Sequence, residues 1–195
     1  MLGLKLPTDP RWVEIASMNL EDILTDHAYC EQKAASTMIS IIIQFPEHMN
    51  MVNELAPIVT EEWGHFRMVM NELNKRGMKL GYPRKDEYVS GLIKFSKTPG
   101  GGSRIDRLVE QLLMCALIEA RSCERFRILS EGLEDEYLKD FYYKFMVSEA
   151  GHYRMFLDLA KSFKEEKVVL ARWQEWLDFE KELLLEIGLR GDRLH

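Results

Sequence analysis

Apolar side chains recur three and four positions apart through most of this chain, the spacing of helices that bury one face. Asp9 followed by Pro10 predicts a short first helix, with Asp9 as its cap and Pro10 at its first position. A long helix is predicted over residues 20–45, stopped by Pro46, and another over 48–76, stopped at Gly77 and kinked early by Pro57. Residues 78–104 contain Gly81, Pro83 and the run from Thr98 to Ser103, so they read as a long connection holding a short helix near 85–97. Two more long helices are predicted over 104–133 and 136–163, and the apolar spacing after Lys167 predicts a further one ending near Ile187. Four long helices joined short, long, short make an all-α four-helix bundle with one long crossover, plus short N-terminal and additional C-terminal helices. No strand pattern or phosphate-binding glycine fingerprint competes, and the triple glycine at 100–102 reads as a flexible link.

At 195 residues, with 46% hydrophobic and 30% charged side chains, the expectation is one folded domain over 1–195. The longest wholly apolar stretches are too short for a membrane span, and the start has no basic leader joined to an apolar core, so neither a signal peptide nor a membrane span is expected. Cys30, Cys115 and Cys123 form no CxxC pair and read as reduced thiols of a cytoplasmic protein. The net charge of −6 conceals an asymmetry. Residues 75–107 carry nine Lys or Arg against three acids, a local +6 that leaves −12 for the rest. Such a segment offers a basic face to phosphate, although a solvated connection has the same composition.

The chemistry lies in a repeat. EEWGHFRM at 61–68 and SEAGHYRM at 148–155 each hold a Glu three positions before a His, Glu62 with His65 and Glu149 with His152. That spacing puts both side chains on one helix face. Glu31 and Glu62 lie 15 residues either side of the Pro46-Glu47 turn, and Glu119 and Glu149 lie 15 either side of Glu134. At about 1.5 Å rise per residue, each pair stands roughly 22 Å from its turn, level on antiparallel helices. Four carboxylates and two imidazoles gathered this way need cations, because like charges buried close together repel. Two divalent ions balance the four negative charges, and oxygen and nitrogen donors without thiolate suit iron or manganese. One Glu from each of two helices and a Glu-x-x-His from each of the other two is the ligand set of di-iron and di-manganese carboxylate bundles.

An isolated ExxH is common on surface helices; two copies, each with a level Glu partner, are not. Glu61 competes with Glu62 and is set aside by the spacing to His65. Glu110 and Glu124 are assigned to solvent or ion pairs. His27, one turn before Glu31, is either a supporting group for it or a structural residue, and Cys115 and Cys123 read as small core residues. His48 and His195 carry no site signal. Gly64 and Gly151, each directly before a histidine, suggest close helix approach or room beside the metals.

With these residues assembled, the chain resembles the tRNA 2-methylthio-N6-isopentenyladenosine hydroxylases, the MiaE family of the ferritin-like superfamily. The matching blocks are Pro10-Arg11-Trp12, DHAYCEQKAA at 26–35, EEWGHF at 61–66, Lys75-Arg76-Gly77, IEARSCERF at 118–126, Phe141-Tyr142 and SEAGHY at 148–153. The resemblance implies a ferritin-like di-iron domain with iron ligands Glu31, Glu62, His65, Glu119, Glu149 and His152. It also implies O2 as co-substrate and hydroxylation of the isopentenyl group on adenosine 37 of tRNA. An external electron donor is implied too, since no flavin or iron–sulfur motif is present. Multicomponent bacterial di-iron hydroxylases show Asp-Glu-x-Arg-His, whereas the stretches here are Glu-Glu-x-Gly-His and Ser-Glu-x-Gly-His. The candidate tRNA contacts are Lys75, Arg76, Lys79, Arg84, Lys85, Lys94, Lys97, Arg104, Arg107, Arg121, Arg125 and Arg127, with ion pairing to acids such as Glu124 the competing reading for the last three. The same ligand grammar also serves iron-storage ferritins and di-manganese catalases, which are the alternatives. Oligomeric state is not legible.

Overall fold

In the computed structural model, which describes residues 2–97 and 102–194, every regular element among the described residues is a helix. These are α1 (Trp12–Met18), α2 (Leu20–Gln44), α3 (Met49–Lys75), α4 (Glu87–Ser96), α5 (Arg104–Gly132), α6 (Glu136–Phe163) and α7 (Glu166–Ile187). The long helices begin and end within a residue of the bounds the apolar pattern predicts. The glycine link at 100–101 and His195 lie outside the described residues.

Local chemistry accounts for the helix ends. Ser103 and Asp106 form a reciprocal capping box at the start of α5, Asp135 accepts from the amides of Tyr137 and Leu138 at the start of α6, and Asp86 accepts from Val89 at the start of α4. α3 ends where Gly77 takes φ +67° and the amide of Met78 returns to the carbonyl of Leu73. Only glycine adopts that backbone without strain. α3 runs through Pro57 unbroken. α1 is regular from Trp12, two residues later than expected from Pro10, while Asp9 Oδ1 accepts from the Arg11 amide at 2.9 Å and the Trp12 amide donates to the Asp9 carbonyl, the bonds of a capped first turn.

The chain divides into two compact units. One is built from Ile15–Lys85 with Arg190–Leu194, the other from the segment up to Glu14 with Asp86–Leu189. In the first, α2 and α3 form an antiparallel hairpin. The tail beyond α7 returns to it: Arg193 Nη1 donates to Asp26 Oδ1 at 2.5 Å, the amide of Leu194 to Asp26 Oδ2 at 2.9 Å, and Arg193 Nη2 to the carbonyl of Lys85. Gly191 is required there, since a Cβ at that position would stand 2.0 Å from Ile15 Cγ2.

In the other unit α5 and α6 pack along their length, with Phe126 stacked on Tyr142 and tilted against Phe145 between them, and α4 and α7 lie against that pair. Phe95 of α4 stacks on Phe179 and meets Trp176 edge-on. A buried polar network ties the N-terminal segment to α5 and α7. Fully buried Arg121 donates to both carboxylate oxygens of Glu180, to Glu124 and to the carbonyl of Leu6, while Tyr88 donates to Glu180 and Thr8 to Glu124.

Candidate metal centre

Each hairpin holds a cluster of two carboxylates and one imidazole at mid-height. In the α2–α3 unit, donor atoms of Glu31, Glu62 and His65 lie within 4.8 Å of one another. His65 Nδ1 stands 3.3 Å from Glu62 Oε2 and 3.5 Å from Glu31 Oε2, so the turn brings the two helices into the register that the sequence spacing requires. In the α5–α6 unit, Glu119, Glu149 and His152 likewise offer donor atoms within 4.8 Å of one another, and His152 Nδ1 again stands 3.3 Å from Glu149 Oε2. The same ring nitrogen meets the same carboxylate oxygen at the same distance in both repeats. None of the six residues is more than 9% exposed.

This donor set fits a hard or borderline divalent ion. Carboxylates buried this close repel one another unless a cation sits among them, and imidazole adds a neutral donor. The neighbouring thiols do not compete. Burial, aided by the charge of Glu119, pushes the Cys115 thiol far above its ordinary range, and burial with the charge of Glu149 raises Cys123 to about 11, so both stay protonated. Oxygen and nitrogen without thiolate is the donor chemistry of iron or manganese.

Further polar residues stand around the candidate ligands. His27 is fully buried and its Nε2 lies 2.7 Å from Glu31 Oε1, within hydrogen-bond distance of this carboxylate. Asp26, the residue beside it, is the anchor of the C-terminal tail, so the tail steadies the turn of α2 that carries His27. The outer nitrogens of the two histidines face the residues four positions earlier. Ser148 Oγ lies 3.5 Å from His152 Nε2, and Glu61 Oε1, too far for a direct bond, 3.8 Å from His65 Nε2. Glu61 is thus not among the clustered donors but stands behind His65. Glu110 forms a two-pronged ion pair with Arg172, as an off-level acid would.

The glycines beside the histidines do not mark close helix approach. A Cβ at Gly64 or Gly151 would meet nothing within 4 Å, so what the repeat shares is open space next to each histidine.

Comparison with known proteins identifies the framework. A family model described as "MiaE: tRNA-(MS[2]IO[6]A)-hydroxylase (MiaE)" matches residues 2–195. The chain belongs to this family. It is 37% identical over 163 residues to a tRNA 2-(methylsulfanyl)-N(6)-isopentenyladenosine(37) hydroxylase of Pseudomonas putida, covering 84% of this chain and 77% of that protein. A hydroxylase of the same description from Salmonella typhimurium is 27% identical, with 93% of this chain and 83% of that one covered. Among solved structures, a Synechococcus protein with aldehyde deformylating oxygenase activity matches with a TM-score of 0.91 at 28% identity, over 98% of this chain and 94% of that one. The fold of this MiaE-family member is the all-α, ferritin-like bundle expected from the helix pattern. Among the described residues no helix is long and apolar enough to cross a membrane.

The basic candidates separate by environment. Lys75, Lys79, Lys85, Lys94, Lys97, Arg104 and Arg107 are exposed. Lys94 and Lys97 end α4 while Arg104 and Arg107 begin α5, so these four flank one short connection. Arg76 is paired with Glu72 at 2.6 Å, Arg84 with Asp192 and Asp22, and exposed Arg127 with Glu131. For Arg121 the ion-pair reading holds and the RNA-contact reading is corrected: it is 0% exposed, is paired with Glu124 and Glu180, and presents no surface to RNA. Arg125, 7% exposed, lies with its guanidinium 4.3 Å from the Trp12 ring centre and is equally withdrawn.

Proposed function

We propose that this protein is an oxygen-dependent, non-haem di-iron monooxygenase that hydroxylates the isopentenyl group of (2-methylthio)-N6-isopentenyladenosine at position 37 of tRNA, acting in the cytoplasm as one di-iron domain. The reading is carried by a family match over residues 2–195 on a chain whose two hairpins each hold a buried Glu-Glu-His cluster. That match also favours hydroxylation over iron storage or catalase chemistry.

Glu31, Glu62 and His65 would hold one iron, and Glu119, Glu149 and His152 the other. When bound, the iron pair supplies the binding and reductive activation of O2. The balance is that of a monooxygenase: one oxygen atom enters a C–H bond, the other leaves as water, and an external donor provides two electrons with two protons. The chain's own work is to keep that chemistry oriented and dry. His27 fixes Glu31, the burial of all six ligands excludes bulk water, and the two Nδ1 atoms are directed at carboxylates rather than solvent. The exposed cations flanking the α4–α5 connection are the candidate phosphate contacts.

Nucleoside mass spectrometry of tRNA from cells with and without the gene tests the reading directly. The isopentenyl adenosine gains one oxygen only when the protein is present, and Glu119→Ala abolishes both that product and iron loading. Unchanged nucleosides in the presence of iron-loaded protein refute it. Affinity for the modified tRNA should also fall steeply with salt, by about one unit of log–log slope per phosphate neutralised.

A further inference from the structure

A cavity of about 560 Å³ opens between the N-terminal segment and the end of α7, away from the six candidate ligands in its lining. Leu6, Pro7, Pro10, Leu184, Leu185 and Leu189 supply apolar walls, and Leu185 and Leu189, 58% and 43% exposed, stand at its mouth. Two guanidinium groups line it as well, and they differ in one respect. Arg121 is held by Glu180, Glu124 and the carbonyl of Leu6. Arg125 is 93% withdrawn from solvent, yet its Nε has no hydrogen-bond partner, and its one polar contact among the described residues is the face of Trp12.

A buried N–H donor without a bonded acceptor is costly, and the Nε of Arg125 has left water without replacement while its terminal nitrogens face the opening. Burial, with the charge of Arg121 adding to it, depresses the Arg125 guanidinium to about 10. The other acids nearby are already engaged: Asp9 at the cavity wall by Arg11, and Glu124 and Glu180 by Arg121. Among the described residues no carboxylate is hydrogen-bonded to Arg125, so its terminal N–H groups at the cavity wall are open to an acceptor from outside. A planar fork of N–H donors matches a carboxylate in two-pronged fashion, and the volume lies within the range of small-ligand sites.

We propose that this cavity is a binding site for a small organic carboxylate with an apolar chain, its head received by Arg125 and its chain by the leucine and proline walls. The site is separate from the hydroxylation chemistry and needs no tRNA.

Calorimetric titration of the iron-loaded protein with acetate, hexanoate, decanoate and inorganic phosphate tests this. Affinity rises along the carboxylate series, by up to about fourfold per buried methylene. Arg125→Gln weakens decanoate binding at least tenfold. Leu185→Trp, which fills the mouth from an exposed position, does the same and serves if Arg125→Gln does not fold. Absence of decanoate binding at millimolar concentration overturns the proposal. So does phosphate binding as tightly as decanoate, or decanoate affinity unchanged in the folded variants, which would put the carboxylate on the irons instead.

Discussion

Replacing Arg121 with methionine separates a structural arginine from an RNA contact. The side chain is 0% exposed and donates to Glu180 Oε1 at 2.7 Å, Glu180 Oε2 at 2.8 Å and the carbonyl of Leu6 at 3.0 Å, besides its contact with Glu124. Without it, Glu124 keeps the amide and hydroxyl of Thr8, but Glu180, also 0% exposed, keeps among the described residues only the Tyr88 hydroxyl at 3.1 Å. The loss therefore falls on one buried carboxylate. Breaking a buried pair from one side costs about 3–5 kcal/mol. At about 2–4 °C per kcal/mol for a chain of this size, Arg121→Met lowers the melting temperature by roughly 10 °C. Removing the stranded charge as well, in Arg121→Met with Glu180→Leu, restores most of that loss, because two apolar groups replace a satisfied pair rather than half of one. Circular dichroism at 222 nm reads the melts, and a tRNA binding isotherm at low temperature reads the other arm, which stays unchanged. A variant that melts within about 2 °C of wild type but loses tRNA affinity refutes the reasoning and returns Arg121 to the RNA surface.

Three further outcomes are expected. Gly64→Ala and Gly151→Ala each gain about 1 kcal/mol of helix stability, since the added methyl meets nothing within 4 Å, and leave iron content unchanged; a lower melting temperature contradicts this. His27→Ala loosens Glu31 and weakens iron binding about 10–100-fold in a chelator competition, whereas an unchanged affinity shows that the 2.7 Å contact does not position the ligand. Asp192 is held below the usual carboxylate range by its hydrogen bond from Arg190, with the charges of Arg190 and Arg84 adding to it against burial. Its contribution, roughly 0.2–1 kcal/mol, is present above about pH 4 and is lost as pH falls through its lowered folded value, so the melting difference between Asp192→Asn and wild type vanishes in strong acid.

The helix pattern and the carboxylate–histidine clusters were legible for the same reason: both depend on short, regular intervals. Three-residue spacing puts Glu62 with His65 and Glu149 with His152, and equal distances from a turn put Glu31 level with one pair and Glu119 with the other. Each needs only helix rise and a short turn. The repeat even carried a detail that spacing could not resolve, the shared Nδ1 to Oε2 contact, because identical local geometry was imposed twice. Gly64 and Gly151 resisted because a glycine records what is absent beside it, and sequence cannot distinguish a crowding neighbour from open space.

What stayed hidden is joined across the chain. Arg121 meets Glu180 from 59 positions away, and Arg193 reaches Asp26 across 167. No periodicity links such residues, so the tail beyond Ile187 carried no signal that it would return to α2, and three arginines on α5 were left between RNA contact and ion pairing. The two readings of Arg121 differ only in which way its helix face points, and that is decided by α7 and the N-terminal segment packing against α5. The same packing closes over Arg125 yet brings it no acceptor. A pattern of charges along one helix therefore identified the arginines, while only the assembled unit distinguishes the one that holds the fold from the one that still has donors to offer.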